Sequence, residues 1–201
     1  MMAGAFAIGA GLAAFALTAL GINPRGISDG LRATARWSFL PFWLAYASGP
    51  AAGLFGSRFA PLAARVRDFG LAYAAAQTVH AGLVAWLYAI SPKPPVPFAT
   101  LIFFLVGLFW TYLLALLSVK RIASRLNSSL VWSLRQIGVQ YIMLAFLRDF
   151  ALAPLREDLG FQLLYAPFFL LCVAGIAMWA ANAALRISMR VKWLPVSRSE
   201  S

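Results

Sequence analysis

"RVRDFGLAYAAAQTVHAGLVAWLY", Arg65 to Tyr88, is the stretch on which the reading of this chain turns. A short basic segment leads into a run of mostly apolar residues about 20 long, enough to cross a hydrocarbon core of roughly 30 Å. In lipid the backbone must satisfy its own hydrogen bonds, so such a run is a helix unless it belongs to a closed barrel. Barrel strands would read as short alternating segments, which this run does not. Inside it stands His80, the only histidine in the chain. At 1.5 Å per residue from Asp68, His80 is about 18 Å into the span. An ionisable side chain at membrane depth is costly and is a functional candidate by default. Imidazole is also a common axial ligand of haem iron.

Similar runs recur along the chain. Of its 201 residues 62% are hydrophobic, and mean hydropathy is +0.80. A soluble domain has about 45–50% apolar residues. Six spans fit, at about 3–22, 37–55, 69–90, 98–118, 129–151 and 160–185, in one integral membrane domain, 1–201. The breaks carry turn chemistry: Asn23-Pro24 with Gly26, Gly56-Ser57, Ser91 through Pro97, Asn127-Ser128, and Pro154. Loops this short make consecutive helices antiparallel neighbours. The expected fold is an all-α, polytopic six-helix bundle. The stretch from Ala3 to Ile22 has no basic leader and reads as the first span, with a signal anchor or a removed leader as the alternatives.

Net charge is +11. The basic residues fall between the apolar runs, where the positive-inside rule puts them, and this argues against a nucleic-acid partner. Ten lie on the side of the second loop, the fourth loop and the tail: Arg58, Arg65, Arg67, Lys120, Arg121, Arg125, Arg186, Arg190, Lys192 and Arg198. Five lie opposite: Arg25, Arg32 and Arg36 in the first loop, Lys93 and Arg156. Both termini are therefore expected in the cytoplasm, as for a bacterial inner membrane protein. Trp37, Trp86, Trp132 and Trp193 fall near span ends and read as interface residues. The basic tail, 186–201, is expected on the anionic membrane surface.

Gly9-Ala10-Gly11-Leu12-Ala13-Ala14 matches the form G-x-G-x-x-A, with Asp29 downstream. The dinucleotide fingerprint needs a strand before it, whereas this one sits inside an apolar span. Small residues at this spacing let membrane helices approach closely. Cys172 has no metal-ligand companions and reads as inert packing. The fifth span carries Arg135 and Arg148, with Asp149 beside the second. Their long stems can snorkel to an interface or pair with Asp149 or Glu157. Their guanidinium groups can equally hold haem propionates, quinone oxygens or lipid phosphates. A transporter is disfavoured, because broken helices and repeat symmetry are not evident.

The segment from Ala35 to Tyr88, with "ARWSFLPFWLAYASGPAAGLFG" leading to "GLAYAAAQTVH", resembles the ferric reductase-like transmembrane domain. "VWSLRQIGVQYIMLAFLRDF", Val131 to Phe150, resembles that family's fifth core segment. The family spans ferric reductases, the NADPH oxidase membrane core and the haem subunit of methionine sulfoxide reductase systems. The resemblance implies two ligand helices, each presenting two histidines to two stacked haems. His80 matches an outer-haem histidine. The inner histidine of that helix falls near Val66 or Arg67, and Arg135 and Arg148 occupy the two slots of the other helix. Protonated arginine has no lone pair for iron. The resemblance thus implies at most one haem b, on His80, with Tyr141, Met143 or water as a sixth ligand. The expected function is a haem-binding redox subunit that works with a quinone or a partner reductase subunit in the lipid bilayer. The alternative is a haem-free relative that keeps the scaffold as an interaction subunit.

Overall fold

The computed structural model describes residues 1–152 and 159–192. Pro154, Arg156, Glu157, Trp193 and Arg198 lie outside the described residues, as do the side chains of Arg190 and Lys192. The described chain is helical, without strands. Helix α1 is Met2–Leu20, α2 is Pro24–Phe55, and a 3₁₀ turn, Gly56–Phe59, leads to the short α3, Ala60–Ala63. Then come α4 (Val66–Ile90), α5 (Phe98–Leu117), the single turn α6 (Lys120–Ala123), α7 (Ser128–Leu152) and α8 (Leu159–Lys192). Four stretches are long and apolar enough to cross a membrane: Met2–Leu20, Phe98–Leu117, Ser128–Leu152 and Gln162–Met189. They mark an integral membrane protein. Helices α2 and α4 have the length but not the composition by the same measure. Their polar residues are divided: Thr34 and Ser38 are buried, whereas Arg25, Arg67 and Asp68 are exposed.

One expected boundary is corrected. The first loop, expected to run to Arg36, is the opening of α2. Asn23 Oδ1 accepts hydrogen bonds from Arg25 N and Gly26 N, both 3.0 Å, and Pro24 occupies the first turn. This is a complete start signal, a capping side chain followed by a proline at the position where no N–H is needed. Arg32 pairs with Asp29 one turn back at 3.1 Å. The turn is tight: Gly21 has φ +87°, and a Cβ at Gly26 would collide with the Gly21 carbonyl. The far end is corrected too. The first part of the expected tail, 186–192, continues α8.

Contact pairs fix the directions. Helix α1 runs antiparallel to α2, since Ala5 meets Trp37 while Ala16 meets Gly30. Helix α2 runs antiparallel to α4, with Thr34 on His80 and Phe42 on Tyr73. Helix α5 is antiparallel to α7, Leu117 meeting Arg135 while Thr100 meets Arg148. Helix α8 runs parallel to α2: Phe39 packs on Phe168, Trp43 Nε1 donates to Leu171 O, and Gly53 abuts Asn182. The long helices therefore alternate in direction, and α2 stands in the middle, touching α1, α4 and α8.

Two packing chemistries hold the bundle. On one side of α2, small residues let backbones close up: Ala5, Gly9, Ala13 and Ala16 form the buried stripe of α1. Gly9 is packed against Val79 and Trp37, whereas Gly11 faces open space. The glycine motif thus packs helices, but through its first glycine. Trp37, expected at an interface, is instead mid-helix and donates from Nε1 to Ala5 O at 2.9 Å. On the other side of α2 the packing is aromatic. The Phe39 ring lies 5.0 Å from Phe150, 5.1 Å from Phe146 and 6.0 Å from Phe168. Phe42 lies 5.1 Å from Tyr73 and 5.4 Å from Phe146. Edge-to-face and offset arrangements such as these are the favoured ones. Phe39→Ala, at a fully buried position, is expected to cost about 3–5 kcal/mol in detergent unfolding. Leu40→Ala, 40% exposed on the adjacent face, serves as control and should change stability by less than about 1 kcal/mol.

Candidate functional site

His80 stands on α4, 14 residues after its first residue, Val66, or about 21 Å along the helix. Its side chain turns toward α2. Nδ1 lies 3.0 Å from Thr34 Oγ1. The Thr34 hydroxyl donates to Gly30 O at 2.8 Å, with Leu31 O at 3.2 Å. This back-bond to the preceding turn is the usual resting place of a helical threonine hydroxyl. A hydroxyl has one proton. With that proton on Gly30 O, the imidazole is the donor, from Nδ1–H, and Nε2 keeps its lone pair. The Leu31 backbone is a second partner of the ring. Thr34 is fully buried. Its surroundings are the apolar cluster of Ala13, Ile27 and Leu83, flanked by Leu17, Leu31 and Val79.

Arg135 and Arg148 face a different helix. Arg135 Nη2 donates to Leu117 O at 2.8 Å, satisfying a carbonyl at the last residue of α5. Arg148 Nη2 donates to Thr100 Oγ1 at 3.3 Å, and its guanidinium lies 4.7 Å over the Phe103 ring. That placement is a cation–π contact. The ion pair found among the described residues is Arg32–Asp29, so Arg148 is not paired with Asp149 there. Tyr141 donates from its hydroxyl to Phe103 O at 2.9 Å, and Met143 is buried in the aromatic cluster. The fold therefore brings none of these groups to His80. Both arginines and Tyr141 bind along α5, Met143 lies in the core, and the imidazole points to α2.

A haem between two helices needs ligands that face each other across a haem-wide gap. Here α4 and α7 meet through the Tyr73 and Phe146 rings, 6.0 Å apart. Tyr73 also exchanges a 2.9 Å hydrogen bond with Thr111 of α5. Among the described residues no group of three or more His, Cys, Asp or Glu could hold a metal ion. These residues do not fit a haem shared between α4 and α7. Two open surface pockets lie at opposite ends of the bundle, and His80 lines neither. One, about 490 Å³, is lined by Tyr88, Pro94 to Phe98 and Leu101. The other, about 600 Å³, holds Arg135.

Two polar residues outside the expected site matter. Thr34 supplies the histidine's partner, and a helix start read at Pro24 would have placed it one turn past Gly30. Arg36 lies with its guanidinium 4.8 Å over the Tyr165 ring, its Nε buried and without a described partner. No protein-family model, curated protein or solved structure matches the chain.

Thr34→Val would remove the His80 Nδ1–Thr34 hydrogen bond from an apolar setting, at an expected cost of about 1–3 kcal/mol. Combining it with His80→Leu should cost less than the two single changes together, read in unfolding curves, because both partners are then gone. Strict additivity would mean that the contact does not form.

Proposed function

We propose that this chain is a ferric reductase-like membrane scaffold: a six-helix interaction subunit, both termini cytoplasmic, that carries no haem of its own. One observation carries the reading. The three residues that resemblance sets at the haem positions diverge, His80 toward Thr34 on α2 and Arg135 and Arg148 toward α5. The space beside α2 that faces α4, α7 and α8 is filled by the Phe39, Phe42, Tyr73 and Phe146 rings. The lipid- or partner-facing surface is rich in large apolar side chains, with Phe15, Phe98, Phe109, Leu163 and Leu170 all exposed. In this reading the arginines tie α7 to α5, and the outer faces of the bundle receive lipid and a membrane partner.

A second reading keeps a single haem b on His80, relaying electrons to a quinone or partner reductase. The observation that favours it is that the contact with Thr34 is made through Nδ1 and not through Nε2. Metal-bound histidines are commonly held this way, by a bond through the other ring nitrogen. The absorption spectrum of protein purified after expression with ample haem separates the two. The scaffold reading predicts no stoichiometric Soret band and a folded His80→Ala variant. A stoichiometric band that disappears in His80→Ala would overturn it and establish the relay. The orientation is tested separately: a reporter fused after Ser201 is expected inside the cell, and external activity would reverse the topology.

A further inference from the structure

Arg135 is placed against the logic of its own helix. It stands on the face of α7 that also carries Val131, Gly138 and Ile142, all three buried. Arg135 itself is exposed. A groove of about 600 Å³ opens here between the α6 turn and the start of α7. Its walls are Ala123, Ser124, Leu126, Ser128, Val131, Trp132 and Gln136. One guanidinium N–H goes to Leu117 O. A guanidinium has five N–H donors, so the remaining ones are available to a ligand. The adjoining turn adds Lys120, Arg121 and Arg125 with no acidic residue between Ser118 and Arg148. The other wall is apolar and open: Trp132 is 63% exposed and Leu126 40%.

We propose that this groove binds the phosphodiester of an anionic membrane lipid, with Arg135 on the phosphate and Trp132 and Leu126 against the start of its apolar part. Three features select that chemistry. The guanidinium fork matches phosphate oxygens and is less strongly hydrated than an ammonium. Basic residues beside a span end attract anionic lipids of the cytoplasmic leaflet. A tryptophan at the same level suits the interface, where one end of a ligand is polar and the other is not. A free phosphate would use the arginine but gain nothing from the apolar wall. The site goes beyond the scaffold reading, since it stands whether or not His80 holds a ligand.

The test uses the full chain, purified in detergent and stripped of lipid, with phosphatidylglycerol, phosphatidylcholine and inorganic phosphate as probes. Native mass spectrometry reads the bound lipid. Phosphatidylglycerol is expected to bind at least about tenfold more tightly than phosphatidylcholine, the size of a hydrogen bond to a charged group. Arg135→Gln should remove that preference, and Arg135→Lys should restore part of it. Because Arg135 also holds the end of α5, Ser128→Trp gives an independent check: it fills the groove from an exposed position and should displace the lipid. Equal binding of both lipids, or a preference unchanged in Arg135→Gln and Ser128→Trp, would overturn the proposal. Inorganic phosphate that competes as strongly as the lipid would overturn the lipid as the source and leave a soluble-anion site.

Discussion

The structure depends on where α2 sits. A helix in the middle of a membrane bundle has no hydrophobic force to hold it there, because lipid tails are as apolar as any partner helix. It must be held by shape and by hydrogen bonds, and α2 uses both. Toward α1 and α4 it offers Gly30 and Thr34, which let the backbones approach and give one hydroxyl to share. Toward α7 and α8 it offers Phe39, Phe42 and Trp43, whose rings interlock with Phe146, Phe150 and Phe168. The indole of Trp43 adds a 2.7 Å hydrogen bond to Leu171 O. Small residues on one face and large rings on the other give α2 one seating among its neighbours.

That seating decides what His80 can do. The imidazole is on the α2 side of α4, with Nδ1 3.0 Å from the Thr34 hydroxyl. The rest of the interior around α2 is filled with aromatic side chains. A residue that reads in sequence as a candidate metal ligand shares, in the fold, a hydrogen bond between two packed helices. The arginines follow the same pattern. Each uses its length to reach α5, Arg135 at one end and Arg148 near the other, so that α7 is tied to α5 at both ends. Charged groups inside a membrane tend to pair with backbone or ring partners, and these do.

Much of the architecture was legible because apolar length is a strong signal. The spans at 98–118 and 129–151 match α5 and α7 to within a residue at each end. The start of α2 was not legible from hydropathy, which sees Arg25, Asp29, Arg32 and Arg36 and reads a loop. Capping chemistry at Asn23-Pro24 gives the correct boundary, because a helix start is set by who accepts its first N–H groups and not by polarity. The directions of His80, Arg135 and Arg148 were not legible either. Sequence spacing places a residue on a helix face, but which neighbour that face meets is a property of the whole bundle. The Arg135 groove was hidden for the same reason: Trp132, Arg135 and Gln136 lie on one helix, while Ser124 and Leu126 come from the turn before it.

The seating of α2 against α4 can be read from one nucleus type in one residue. His80 is the only histidine in the chain, so imidazole ¹⁵N spectra of histidine-labelled protein in lipid report that ring alone. With the Thr34 hydroxyl bonded back to Gly30 O, a single tautomer protonated at Nδ1 is expected, with a hydrogen-bonded Nδ1 signal that moves when Thr34 is replaced by Val. A ring protonated at Nε2, or signals indifferent to Thr34→Val, would contradict it.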